Sequence, residues 1–215
     1  MNSKRAVLAL KIVMWVASLA PAVWLTIGYF QGWLGANPIE KMTRMTGMTA
    51  IVLLLVTLGV TPVRRLTGWN PIIKLRRPLG LFAFFYGLLH FSVWFVFDSL
   101  FDFGYMFDDI LERRYITVGM ASLLVLIPLA VTSTKGWIRR LGKRWGRLHQ
   151  GAYLATGLAV VHYFWLVKAD TRLPVLFGAI LVGLLALRHP RFAKKRKPKK
   201  QRAGGEPTEV TPAVQ

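Results

Sequence analysis

Long apolar runs separated by short polar or charged stretches dominate the chain and set its expected architecture. The first run, Ile12 to Phe30, follows a segment bearing Lys4, Arg5 and Lys11. It is long enough to cross a hydrocarbon core, and longer than the apolar part of a typical cleaved signal peptide. A retained first helix is therefore expected, kinked at Pro21, despite a loose cleavage-like pattern at 18–21. After a turn-rich loop over 32–41, a second apolar helix is expected from Met45 to Val63. A third, Leu79 to Phe97, carries His90. The fourth runs from Tyr115 to Val131 with a kink expected at Pro128. The fifth, Leu148 to Val167, carries His149 and His162. The sixth, Leu173 to Leu187, is short for a span, but Arg172 and Arg188 at its ends can snorkel to the interfaces.

The pattern predicts an all-α membrane protein, a six-helix transmembrane bundle. A short N-terminal segment (1–11) precedes a six-span domain (12–187). The remainder (188–215) is basic, then polar with Gly and Pro, and is expected to be a disordered tail. No repeat of fixed period is evident.

Composition adds two constraints. The chain has no cysteine, which excludes disulfides, iron–sulfur clusters and thiolate zinc sites. Its formal net charge is +20, from 29 Lys and Arg against 9 Asp and Glu. Most of the basic residues lie in the N-terminus, the 64–77 and 135–147 connections and the tail, whereas the alternate connections hold most of the acids. Under the positive-inside rule this alternation predicts both termini in the cytoplasm. The charge then reads as topology and as contact with anionic lipid, not as nucleic acid binding.

Histidines inside apolar helices need a reason, since polar groups are costly there. His90 lies ~16 Å along its helix from the basic side, and His162 ~21 Å along a helix running the same way. Two imidazoles at similar depth can ligate one haem iron between helices, with Gly87, Gly151, Ala155, Gly157 and Ala159 allowing close approach. The plain alternative is a pair of interhelical hydrogen bonds. His149 sits at the basic rim, where it is either a wet interfacial side chain or a third ligand. The position that would pair with it, thirteen residues before His90, is Arg77. His189 is expected in solvent.

Four other features carry chemistry or its alternative. Arg76, Arg77, Arg139, Arg140, Lys143 and Arg144 could clamp a flavin phosphate or simply follow the positive-inside bias. The acidic stretch 98–112 (Asp98, Asp102, Asp108, Asp109, Glu112), with Phe101, Phe103, Tyr105, Met106 and Phe107, fits a docking surface or an amphipathic segment on the membrane. Trp33, Trp94 and Trp165 fit outer interfacial anchors, and Trp69, Trp137 and Trp145 inner ones. Met42, Met45 and Met48 fit packing better than iron ligation. No constellation of a hydrolytic enzyme occurs. A rival to electron transfer is a small transporter or scaffold whose histidines relay protons or brace helices.

The segments RRPLGLFAFFYGLLHF (76–91) and LGKRWGRLHQGAYLATGLAVVHYFW (141–165), with LGANP near the start and TPVRR after the second helix, resemble the ferric-reductase-like transmembrane family. The likeness runs over nearly all of 10–190 and is to that family's bacterial inner-membrane members. It implies haem b, one or two per chain, with His90 and His162 matching the ligand histidines and His149 a third. It also implies FMN on the cytoplasmic side, where Arg76 and Arg77 stand. Electrons would come from the quinone pool or a cytosolic flavin reductase. They would pass to a soluble periplasmic molybdopterin enzyme that reduces methionine sulfoxide, so the chain itself is a non-catalytic electron-transfer subunit. Where relatives carry a histidine shortly before Thr46-Gly47, this chain has Arg44, which counts against a ligand on the second helix. With no glycine-rich nucleotide fingerprint, the chain is not expected to oxidise a nicotinamide by itself.

Overall fold

Asn37 accepts the Glu40 N–H at 3.1 Å, and Pro38 occupies the first turn where its missing donor costs nothing. This pair starts the second helix seven residues before the apolar run does. Gly68 ends it in the left-handed conformation (φ 71°), its N–H bonded to the Arg64 carbonyl at 3.0 Å. In the computed structural model, which describes residues 3–188, the helices are α1 (Ser3–Phe30), α2 (Pro38–Thr67), α3 (Arg76–Val93), α4 (Phe103–Glu112), α5 (Arg114–Val131), α6 (Lys135–Leu141), α7 (Lys143–Leu148), α8 (Gly151–Leu166) and α9 (Arg172–Ala186). A 3-10 turn (Asn70–Leu75) leads into α3 and a π turn (Trp94–Asp98) continues it. Among the described residues no strand occurs. His189 and the rest of the expected tail beyond Arg188 lie outside the described residues.

Each of the six apolar runs is helical. Four helical segments, 5–30, 38–67, 70–98 and 114–131, are long and apolar enough to cross a membrane. α8 and α9, with 16 and 15 residues, are shorter. Two connections are more ordered than expected. Within the acidic stretch Asp102 caps α4 by accepting the Gly104 and Tyr105 N–H groups at 2.9 and 3.0 Å. Leu100 and Phe101, just before it, hold positive φ (47° and 64°), a strained way to turn the chain without glycine. The basic 135–147 connection folds into α6 and α7, with Gly142 at φ 50° between them. Thr134 caps α6 by accepting the Trp137 N–H. α1, α2 and α5 run through Pro21, Pro62 and Pro128.

α2 is the hub of the packing. Of its apolar stretch 56% is buried, against 11% in α1 and 17% in α5, and it touches α1, α3, α8 and α9. The closest pairings are α2 with α3 and α5 with α8. Leu54, Phe82, Ala83, Tyr86, Leu126 and Ala155 form one core where these pairs meet. Ile51, Leu58, Val160, Phe177 and Leu181 form a second that seats α9. Ala83 and Ala155 are wholly buried, and Ser122 on α5 donates to the Ala155 carbonyl at 2.9 Å. Small residues let these helices approach closely enough for dispersion to hold them. Large apolar side chains such as Val13, Val16, Val52, Leu124, Leu154 and Val182 face outward. That placement is the reverse of a soluble core and suits contact with hydrocarbon.

Candidate functional site

α3 and α8 bring His90 and His162 together. Their ring centroids are 6.1 Å apart and their planes cross at 77°. Each ring is tied down through the same atom. His90 Nδ1 lies 2.9 Å from the Thr43 carbonyl of α2, and His162 Nδ1 lies 2.6 Å from the Tyr115 carbonyl of α5. A carbonyl only accepts, so in both rings Nδ1 carries the proton and donates. That tautomer leaves the Nε2 lone pair free for a metal, the arrangement in which a backbone acceptor orients a ligating histidine.

Glycine makes the contacts possible. A Cβ on Gly47 of α2 would stand 3.0 Å from His90 Nδ1 and Cε1, and one on Gly119 of α5 would stand 2.7 Å from His162 Nδ1. A methyl group at Gly119 cannot coexist with the ring where it lies, and one at Gly47 would press on its ring tightly enough that the ring must give slightly. Thr46, wholly buried, adds its Oγ1 3.5 Å from His90 Nδ1 while donating to the Met42 and Thr43 carbonyls. The Tyr115 ring lies 6.1 Å from that of His162.

These observations fit a bis-imidazole iron. With a metal–nitrogen bond of ~2 Å on each side, two imidazoles sharing one iron have ring centres about 6 Å apart. His90 and His162 are both half-buried by the polypeptide. Among the described residues no three His, Cys, Asp or Glu side chains gather at one point. Two imidazoles alone suit an iron whose other four ligands come from a macrocycle.

His149 is not part of this pair. It lies between α7 and α8, stacked on Trp145 at 3.9 Å and 28°. Its Nε2 is 3.1 Å from Thr132 Oγ1, which donates to the Pro128 carbonyl and so accepts from the imidazole. Trp145 Nε1 donates to the Thr132 carbonyl at 3.0 Å and closes the arrangement.

Of the basic residues singled out, Arg76 is half-buried, while Arg77, Arg139, Arg140, Lys143 and Arg144 are exposed. Arg140 lies over the Trp137 ring at 5.2 Å. Arg188, read from sequence only as a snorkelling end residue, donates to the Leu58 carbonyl at 2.5 Å and to the Tyr153 hydroxyl. Its own carbonyl accepts from Arg65 Nη1 at 2.9 Å, which fastens the end of α9 to α2. On α4, Asp109 is buried and paired with Arg113 at 2.7 Å. Phe101, Phe103, Tyr105 and Phe107 are exposed, as are Asp98, Asp108 and Glu112. Trp33 and Trp165 are exposed, and Met48 packs against the core that seats α9.

Sequence reading found both histidines but missed what holds them: the Thr43 and Tyr115 carbonyls, Gly47 and Gly119. The glycines it named lie elsewhere. Gly87 faces Leu123 and Leu126, Gly151 faces Leu129 and Val125, and Gly157 faces open space. A glycine one turn after a carbonyl acceptor was the only local signal, and it means nothing until the facing ring is known.

The family described as "Ferric reductase like transmembrane component" matches residues 41–160. A protein-methionine-sulfoxide reductase heme-binding subunit MsrQ from Rhodospirillum rubrum is 48% identical over 188 residues, covering 87% of this chain and 90% of the relative. The protein of the same name from Xanthomonas axonopodis pv. citri is 45% identical over 87% of this chain and 88% of its own. The one from Xanthomonas oryzae pv. oryzae is 42% identical over 98% of this chain and 99% of its own. No solved structure matches the chain significantly.

Proposed function

The chain belongs to the ferric-reductase-like transmembrane family, together with the MsrQ subunits, and on that footing we propose that it is a haem b electron conduit of the bacterial inner membrane. In this reading the segment 12–187 crosses the bilayer six times with both termini in the cytoplasm, the short α8 and α9 included. Electrons enter from the quinone pool or a cytosolic flavin reductase at the basic face. FMN would bind there, with Arg76 and Arg77 as its phosphate partners and Arg76 the one turned inward. They leave on the opposite side to a soluble molybdopterin methionine sulfoxide reductase, MsrP, which repairs oxidised periplasmic proteins. The acidic, aromatic face of α4 is the proposed docking surface.

The observation that carries this reading is the His90–His162 pair, with both Nδ1 atoms donating to backbone carbonyls. A haem held between the two Nε2 atoms would supply a reversible one-electron carrier, and two imidazoles holding it suit electron transfer over oxygen activation. The chain's residues position the imidazoles and fix their protonation through the Thr43 and Tyr115 carbonyls. His149 is the candidate for a second ligand set nearer the basic face.

Purified from haem-replete cells, the protein should be red, with a Soret band that shifts on reduction and reoxidises when a cognate periplasmic reductase and methionine sulfoxide are added. A colourless preparation ends the conduit reading. A red one that MsrP leaves reduced ends the partner assignment alone.

A further inference from the structure

The two imidazoles are held by the same device twice. On α2 a carbonyl, Thr43, takes His90 Nδ1, and four residues on Gly47 lies against the ring. On α5 a carbonyl, Tyr115, takes His162 Nδ1, and four residues on Gly119 lies against the ring. In both halves 47 residues separate the carbonyl from its histidine. Every member of the second set therefore stands 72 positions after its counterpart in the first.

That offset also places Met48 on Met120, Leu54 on Leu126, and wholly buried Ala83 on wholly buried Ala155. It lays α2 on α5 and α3 on α8, which are the two closest-packed helix pairs. The absence of a repeat expected from sequence is thus corrected by the structure. Few identities survive, and those that matter are spread over four helices, so they emerge only once it is known what each residue touches.

We propose that α2–α3 and α5–α8 are two copies of one helical hairpin facing each other across the histidine pair, and that Gly47 and Gly119 are equivalent positioning residues fixing the planes of the two rings. The proposal rests on the reading of His90 and His162 as haem ligands. A methyl group at Gly119 meets His162 Nδ1 at 2.7 Å, Cε1 at 2.9 Å and Cγ at 3.1 Å. The ring cannot swing clear without loosening its bond to the Tyr115 carbonyl, one turn back on the same helix face. At Gly47 the corresponding contacts with His90 are 3.0, 3.0 and 3.6 Å, so the displacement there is smaller.

The copies differ at one informative position. Thr46 precedes Gly47, whereas Val118 precedes Gly119. The Thr46 hydroxyl gives its one proton mainly to the Met42 carbonyl at 2.7 Å and, more weakly at 3.1 Å, shares it with the Thr43 carbonyl that His90 uses, while Val118 has no hydroxyl to share. The imidazole–carbonyl distance is 2.9 Å for His90 and 2.6 Å for His162. A stronger Nδ1–H donation makes an imidazole a more basic ligand and favours ferric iron.

The test uses haem-loaded full-length protein, with the midpoint potential and the electron paramagnetic resonance spectrum of the ferric state, which responds to the angle between axial imidazole planes. Gly119→Ala and Gly47→Ala should shift both, Gly119→Ala more, and Gly157→Ala should shift neither. Thr46→Val, which copies the second hairpin and changes little volume, should lower the potential. Should Gly119→Ala fail to fold or load, Gly47→Ala and Thr46→Val decide. Loaded wild type with unmoved Gly47→Ala and Thr46→Val overturns the positioning claim and leaves the ligation reading intact. Wild type without haem overturns both.

Discussion

Tyr86, wholly buried on α3, donates its hydroxyl to the Ser18 carbonyl of α1 at 2.6 Å. The same oxygen accepts the Ala22 N–H at 3.0 Å. It thus stands between the two groups that a regular helix would join directly, next to Pro21, which has no N–H to offer. α1 exposes most of its surface, so this inserted hydroxyl is its principal polar link to the core.

Tyr86→Phe should leave that carbonyl and N–H either unpaired or rejoined in a straighter α1 that no longer fits its groove. A cost of about 1–3 kcal/mol is expected. It would be read as a lower thermal midpoint in detergent and faster hydrogen exchange over 18–26, with haem content preserved. Unchanged exchange in α1 would show that apolar packing alone holds it.

If His90 and His162 hold one haem as proposed, removing either should remove it. His90→Ala and His162→Ala are each expected to abolish that haem's Soret and redox signals. His149→Ala should keep at least part, because His149 lies ~20 Å along the chain from His162 and is occupied by Thr132. Equal loss in all three variants would break this pairing.

Asp109 accepts from Arg113 through Oδ1, while its buried Oδ2 has no partner among the described residues. Arg113→Ala should therefore strand a carboxylate on α4. The expected cost is about 1–2 kcal/mol, below the ~3–5 kcal/mol of a fully buried pair because the arginine is half exposed. Asp109→Asn added to Arg113→Ala should recover part of the loss. Should the double variant be no more stable than the single one, the charge is not what matters there.

How much of this was legible in the sequence varied by element. The apolar runs announced six helices to within a turn or two at most ends. The larger misses came at caps and turns. Asn37 starts α2 well before its apolar face begins, and Asp102 organises α4 in a stretch whose exposed aromatics gave no clean periodicity.

The sequence by itself determined the helical character of the chain, its segments long and apolar enough to cross a membrane, and the placing of His90 and His162 inside apolar helices. Contiguous apolar length and the cost of a lone polar group in hydrocarbon are properties of a segment, and need no partner. Spacing along each helix also gave how far His90 and His162 lie from its start. Tertiary structure alone decided that the rings face each other, that Thr43 and Tyr115 orient them, and that Gly47 and Gly119 make room. Depth along one helix says nothing about which face of a neighbour, 47 residues away in the chain, will meet it. That choice belongs to packing, where wholly buried Ala83 and Ala155 let two helix pairs close around the same point.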